Sequence, residues 1–136
     1  MKIYICCSKH FYGKIPIMKE KLEKAGHVIT LPNSFDDPLR EEKLKKIDKK
    51  RHVKWKSASI RLQKEKVLNN DAILVLNFEK NGQTNYIGGA TFLEIFQAFD
   101  AEKRIFLFNP IPDSIFRDEL TAMSPIILRG DLSLIK

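Results

Sequence analysis

Long hydrophobic runs are missing from this sequence of 136 residues. The opening residues, MKIYICCSKHFYGK, return to polar character after a short apolar stretch. That stretch is too short to span a membrane, and no small-residue cleavage site follows it. We therefore predict neither a membrane-spanning segment nor a signal peptide.

Cysteine and histidine are also scarce. The two cysteines are the neighbours Cys6 and Cys7, which rarely bridge each other comfortably, and the three histidines show no metal-ligand spacing. A disulfide framework is therefore not expected, and the reducing cytoplasm suits the chain better than secretion. We predict that both cysteines are small buried residues, and we expect neither a metal site nor a cofactor.

Two common phosphate-binding motifs are absent. The sequence contains no G-x-x-x-x-G-K-[ST] motif, which argues against a P-loop NTPase. It also lacks G-x-G-x-x-G, the fingerprint of dinucleotide-binding folds. A nucleotide site in this chain would therefore have to be built differently.

Positive charge is plentiful but uneven. Residues 40–66 contain 12 of the 24 Lys and Arg and only four acids. This segment therefore carries +8 and the rest of the chain −1, which together give the net charge of +7. Such a segment can attract phosphates or nucleic acid, but a solvated helical face is the more common explanation. Trp55 is the segment's one aromatic residue able to stack on bases, so nucleic acid is not the expected partner.

Short apolar segments alternate with helical patterns along the chain, which predicts one α/β domain covering residues 1–136. Strands are predicted at residues 3–6, 27–31, 72–78, 104–108 and 126–128. Helices are predicted at residues 15–25, 39–68 (with a break near 51–52), 88–102 and 114–122. We predict a doubly wound, mostly parallel five-stranded sheet with the flavodoxin-like order 2-1-3-4-5.

Ligands of such sheets bind beyond the carboxyl ends of the strands, where the strand order reverses. For this chain the reversal lies between the first and third strands. Three loops are therefore expected to meet at one site, namely residues 7–13, 77–89 and 109–113.

The helix after the third strand contains the most informative polar residues. Gly88 and Gly89 precede it, so that backbone N–H groups can approach a ligand at the positive end of the helix. Within its apolar run, Thr91, Glu94 and Gln97 recur every third residue and form one stripe. The stripe is either the solvent edge of the helix or the wall of a cleft containing a reactive carboxylate, and periodicity alone leaves both interpretations open.

Five segments resemble the nucleoside 2-deoxyribosyltransferase superfamily, particularly its short deoxynucleoside monophosphate N-glycosidase branch. They are MKIYICCS, NNDAILVLNF, GGATFLEIFQAF, KRIFLFNP and LTAMSPIILRG, in the family's order and over nearly the whole chain. The resemblance implies that Glu94 is the nucleophile, that Tyr4 lies near the sugar, and that Ser8 belongs to the first binding loop. It further implies a homodimer in which Thr121, with Ser124 nearby, reaches substrate phosphate across the interface.

The loops and the resemblance together predict one catalytic residue, Glu94, and a larger substrate-binding set. That set comprises Tyr4, Cys7, Ser8, Asn77, Gly88, Gly89, Asn109, Thr121 and Ser124.

The sequence departs from the family pattern in two ways. Phe92 and Leu93 stand where the family has glycines before the glutamate, which we expect to reshape the sugar pocket. The family aspartate that assists the leaving base has no counterpart near residues 63–64, where Glu65 is the one carboxylate. Asp71 is a poor substitute, because it precedes the third strand and belongs at the opposite sheet edge.

The expected function is cleavage or transfer at the N-glycosidic bond of a (deoxy)nucleoside or nucleoside monophosphate. The alternative is a non-catalytic nucleotide-binding module of the same fold, which the two departures favour. A nucleic-acid-binding protein that uses residues 40–66 is the third hypothesis.

Overall fold

A computed structural model describes all residues from Met1 to Lys136. Five parallel strands form one sheet in the order β2-β1-β3-β4-β5, which confirms the predicted doubly wound fold. The strands are β1 (Lys2–Cys6), β2 (Val28–Thr30), β3 (Ala72–Val75), β4 (Arg104–Leu107) and β5 (Ile126–Ile127). The helices are α1 (Ile15–Lys24), α2 (Arg40–Ile47), α3 (Lys49–Leu68), α4 (Gly89–Asp100) and α5 (Arg117–Ala122).

The two faces of the sheet are covered by different elements, because successive strand side chains point to opposite faces. Ile3, Ile5 and Leu74 pack on the face covered by α1. Tyr4 and Ile73 point to the other face, which is covered by α3, α4 and α5. Every residue of β3 is buried, as expected of a central parallel strand enclosed on both sides. No helical segment combines the length and the apolar character that a bilayer crossing requires.

The long basic segment forms two helices, and the break between them lies earlier than predicted. Asp48 separates α2 from α3, whereas the sequence pattern suggested a break near residues 51–52. The Asp48 carboxylate accepts hydrogen bonds from the backbone N–H groups of Lys50 (3.0 Å) and Arg51 (3.2 Å). Aspartate is a preferred N-cap because it satisfies N–H groups that have no partner within the helix.

Candidate active site

A cavity of about 230 Å³ opens where the strand order reverses. Tyr4 at β1, the loop residues Cys7 and Ser8, and the start of α4 with Glu94 form its sheet-side wall. The opposite wall belongs to α2 and α3, whose cavity-lining residues are Glu41, Trp55, Lys56, Ser59 and Gln63. The cavity therefore lies at the crevice typical of open α/β sheets.

Glu94 is enclosed by this cavity instead of projecting into solvent. It stands in the second turn of α4 and is only 6% exposed. The hydroxyl of Tyr4 donates a hydrogen bond to its carboxylate. Burial raises the pKa of Glu94 to about 7, although the hydrogen bonds from Tyr4 and Cys6 act in the opposite direction. Near neutral pH, the site therefore contains both the protonated acid and the nucleophilic carboxylate.

The polar stripe of α4 points inward, which excludes the solvent-edge interpretation. Thr91 and Glu94 are buried, and Gln97 is half-buried. The outward side of the same helix is apolar, and it exposes the side chains of Leu93 (40%), Phe96 (50%) and Phe99 (49%).

Phe92 and Leu93 do not reshape the cavity as expected. The ring of Phe92 stacks on that of Phe116 with a centroid separation of 4.3 Å, and Leu93 faces outward. Neither side chain lines the cavity, because both fall on helix faces that turn away from Glu94.

The hydroxyl and thiol groups beside Glu94 stay protonated. Burial raises the pKa of Tyr4, so its phenol remains a hydrogen-bond donor. Both cysteines are buried, which confirms that prediction, and burial raises the pKa of each thiol. Cys7 lines the cavity but does not provide a thiolate nucleophile at neutral pH.

Asn77 and Asn109 lie outside the cavity, so the third predicted loop does not contribute to it. The two side chains instead join their loops. The Asn77 amide donates to the backbone carbonyls of Asn109 (2.9 Å) and Pro110 (3.0 Å), and its oxygen accepts from the Asn109 N–H (2.8 Å). The Asn109 amide donates in turn to the Asn77 carbonyl at 3.0 Å, so both polar atoms of the Asn77 side chain and the amide nitrogen of Asn109 are occupied.

Thr121 and Ser124 are exposed and also lie outside the cavity of their own chain. The Thr121 hydroxyl donates to the carbonyl of Arg117 at 2.7 Å, within α5. Gly88, Gly89 and Ser8, by contrast, all line the cavity.

The position expected for the family aspartate contains Gln63, whose side chain is 5% exposed and lines the cavity. Its amide donates to the carbonyl of Ala90 at 3.2 Å and so ties α3 to the start of α4. Glu65 points into solvent. Asp71 lies at the opposite edge of the sheet, where it accepts from the Lys2 N–H at 2.8 Å. None of these residues provides a carboxylic acid at the cavity.

Sequence reasoning missed a charged cluster on the helical wall. The Glu41 carboxylate lies 2.9 Å from Nε2 of His52 and 3.1 Å from Nζ of Lys56. Partial burial acts to raise the pKa of Glu41, but hydrogen bonds from His52 and Lys56 outweigh it and hold the pKa below its usual value. These residues belong to a segment whose many similar charges gave no signal for any one position, although Trp55 stood out as its single aromatic residue.

Two further lysines influence the site. Lys66 is half-buried and donates to the carbonyl of Leu31 at 2.9 Å, and its ammonium favours the ionised form of Glu94. Burial lowers the pKa of Lys66 itself. Lys9 lines the cavity and forms an ion pair with Glu42. The cations around the cavity are therefore largely paired with protein acceptors.

Sequence comparisons do not assign this chain to a family. No protein-family model matches it, and the search of curated proteins finds no match. In the cavity, a buried carboxylate faces a wall that contains an aromatic ring and a lysine. A carboxylate held in one orientation by a hydrogen bond can serve as the nucleophile in covalent catalysis.

Proposed function

We propose that this protein cleaves or transfers at the N-glycosidic bond of a (deoxy)nucleoside or nucleoside monophosphate, with Glu94 as the nucleophile. The observation that carries the proposal is the burial of the Glu94 carboxylate at the strand-order reversal, with Tyr4 bonded to it. The motif resemblance supports the same role for the same residue. A helix carboxylate that served only solubility would face solvent.

In the proposed mechanism, ionised Glu94 attacks the anomeric carbon as the C–N bond to the base breaks. The electron pair of that bond leaves with the base, and a glycosyl ester forms on the carboxylate. Water or a second base then attacks the same carbon and releases Glu94. Tyr4 holds the carboxylate in one orientation by its hydrogen bond, so less conformational freedom is lost on the way to the transition state.

Substrate binding is assigned to the polar groups that share the cavity with Glu94. Backbone N–H groups at Gly88 and Gly89 begin α4, and the Ser8 hydroxyl lies in the same lining. Helix N-termini favour sugar hydroxyls and phosphates because their first N–H groups have no internal partner.

The proposal includes a homodimer that covers the outer face of α4. Leu93, Phe96 and Phe99 expose a continuous apolar surface there, and Thr121 and Ser124 are absent from the cavity of their own chain. A second copy would bury these apolar side chains. It would also bring its own Thr121 and Ser124 to the cavity of its neighbour, as the resemblance implies. Sedimentation velocity tests this, since Phe96→Glu is expected to turn a dimer into monomers, and a wild-type monomer would contradict it.

Base release is the direct test of the proposed activity. Deoxynucleosides, ribonucleosides and their monophosphates would be incubated with wild type, Glu94→Gln and the matched control Asp100→Asn, an exposed acid at the end of the same helix. We expect release by wild type and control, and a loss of at least about 10³-fold in Glu94→Gln, measured by chromatography of the free base. Equal release by all three proteins, or release by none, would refute the proposal.

A non-catalytic nucleotide-binding module is the second candidate, and Gln63 favours it because an amide stands where an acid was expected. It predicts nucleotide-dependent thermal stabilisation of wild type without turnover.

Nucleic-acid binding by residues 40–66 remains a third hypothesis. It predicts an affinity that falls steeply as salt rises.

A further inference from the structure

Neither carboxyl group of the cavity is available to protonate a leaving base, because Glu94 is the proposed nucleophile and the pKa of Glu41 is held below its usual value, but the cavity does contain another proton donor. Gln63 occupies the expected position as an amide, and Glu65 points into solvent. On the same helical wall, Lys56 lines the cavity opposite Glu94, and the two are close enough for the ammonium to favour the ionised carboxylate.

Lys56 is held in place by a fixed set of contacts. Its Nζ lies 3.1 Å and 3.4 Å from the two carboxylate oxygens of Glu41, which in turn lies 2.9 Å from Nε2 of His52. These contacts cross from α2 to α3, so they orient the ammonium group relative to the cavity. An ammonium has three N–H donors, and the shared contact with Glu41 does not use all of them.

Trp55 identifies the side of the cavity to which a base would bind. Its indole lines the cavity next to Lys56 and stacks on the His52 ring, with centroids 6.2 Å apart and planes inclined by 25°. Every nucleobase can stack on an aromatic side chain, whichever base it is. A base on Trp55 would therefore have Lys56 beside it and would leave the sugar on the side of Glu94.

We propose that Lys56, positioned by Glu41 and His52, is the catalytic residue that donates a proton to the departing base. This inference rests on the proposed N-glycosidic function. As the C–N bond breaks, its electrons pass to the base, Glu94 bonds to the anomeric carbon, and one Lys56 proton moves to a ring nitrogen or exocyclic oxygen of the base. In the second half, neutral Lys56 accepts a proton from the attacking water, and Glu94 leaves as carboxylate.

A phosphate anchor is the rival role for Lys56, and its surroundings argue against it. The Glu41 carboxylate shares the ammonium and itself lines the cavity, so a phosphate placed there would meet a like charge. A base carries no such charge in the ground state. Its negative charge develops during bond cleavage, when the nearby ammonium can neutralise it.

The experiment compares two leaving groups on the unphosphorylated nucleoside that wild type cleaves fastest, and the monophosphate of the parent nucleoside is assayed in parallel. One substrate carries the parent base. The other carries a base that depends less on protonation: a purine methylated at N7, which departs uncharged, or a pyrimidine fluorinated at C5, which departs as a more stable anion. The proteins are wild type, Lys56→Met, Lys56→Arg and the matched control Lys54→Met, whose lysine is exposed on the same helix.

We expect both Lys56 variants to lose about 10²–10⁴-fold in kcat/KM on the parent base, the usual contribution of general acid catalysis. On the N7-methylated purine we expect them to stay within about threefold of wild type, because that base departs without a proton. On the 5-fluorinated pyrimidine we expect a loss smaller than on the parent base, because its anion is more stable. Arginine keeps the charge but does not give up its proton, so it should not rescue the parent reaction. Lys54→Met should resemble wild type, and thermal melting confirms that each variant is folded.

Equal losses on both bases, or rescue by Lys56→Arg, would overturn the assignment of Lys56 while leaving the role of Glu94 intact. Loss confined to the monophosphates would identify a phosphate anchor instead. Absence of base release by wild type would remove the proposed function, and the assignment of Lys56 with it.

Discussion

Glu94 and Glu41 face one cavity from opposite walls, yet their surroundings move their pKa values in opposite directions. Glu94 lies on the sheet side, where burial outweighs the hydrogen bond from Tyr4 and raises its pKa to about 7. Glu41 lies on the helical side, where hydrogen bonds from His52 and Lys56 outweigh partial burial and lower its pKa. Their surroundings alone thus give two residues of the same chemical type opposite pKa shifts.

The largest expected effect on stability comes from removing the buried carboxyl. The folded-state pKa of Glu94, about 7, exceeds the ordinary value of 4.5, so the native state binds more protons between these values and loses stability as the pH rises through them. The loss amounts to about 3 kcal/mol above neutral pH. Glu94→Gln avoids it, so urea unfolding near pH 8 should show a variant more stable than wild type.

The same comparison near pH 4 provides the control, because there both proteins present a neutral group at residue 94. The stability difference between Glu94→Gln and wild type should therefore grow with pH. A difference that does not change with pH would mean that the carboxyl ionises as freely as one in solvent, and the contrast with Glu41 would disappear.

A smaller effect is expected from Tyr4→Phe, which removes the hydroxyl that donates to the Glu94 carboxylate. The ionised form loses a stabilising hydrogen bond, so the pKa of Glu94 should rise further, by roughly one pH unit. The ascending limb in a plot of kcat/KM against pH should shift to higher pH by the same amount. An unchanged limb would show that Tyr4 does not act through the nucleophile.

The smallest effect on stability is expected from Glu41→Gln. The pair of Glu41 with Lys56 is partly exposed, so its loss should cost less than about 1 kcal/mol in urea unfolding. Because Lys56 would lose its orientation, base release should slow about tenfold on the parent base and less on the activated one. Glu65→Gln, which changes an exposed acid of α3, is the matched control. Equal slowing on both bases would contradict the positioning role of Glu41.

Local sequence patterns were sufficient to predict the architecture. The unbroken apolar run that contains β3 and its alternation with helical periods predicted a parallel sheet in the observed order. The pattern was less informative about element ends. It missed Asp48 as the N-cap of α3, although the residue type is a common one, because charged residues surround it on both sides.

The site was only partly predictable. Tyr4 lies in the first predicted strand, Ser8 follows that strand, and Glu94 lies in the helix after the third strand. All three line the cavity. Asn77 and Asn109 also follow strands, but the side chain of each bonds to the backbone of the other's loop, and a position after a strand does not reveal such pairing. The residues of the helical wall were missed because no local pattern distinguishes Glu41 or Lys56 from the charges around them.

Local patterns were enough to predict the succession of strands and helices along the chain, since hydrophobic periodicity and turn residues act over a few neighbours. They also placed Thr91, Glu94 and Gln97 on one side of α4, but a helix has the same periodicity whichever side is covered. Only the packing of α3 against α4 decided that this side is buried, and only that packing brought Lys56 across from Glu94. Such contacts join residues distant in the chain, and their effect on a carboxyl pKa depends on burial that local patterns do not contain.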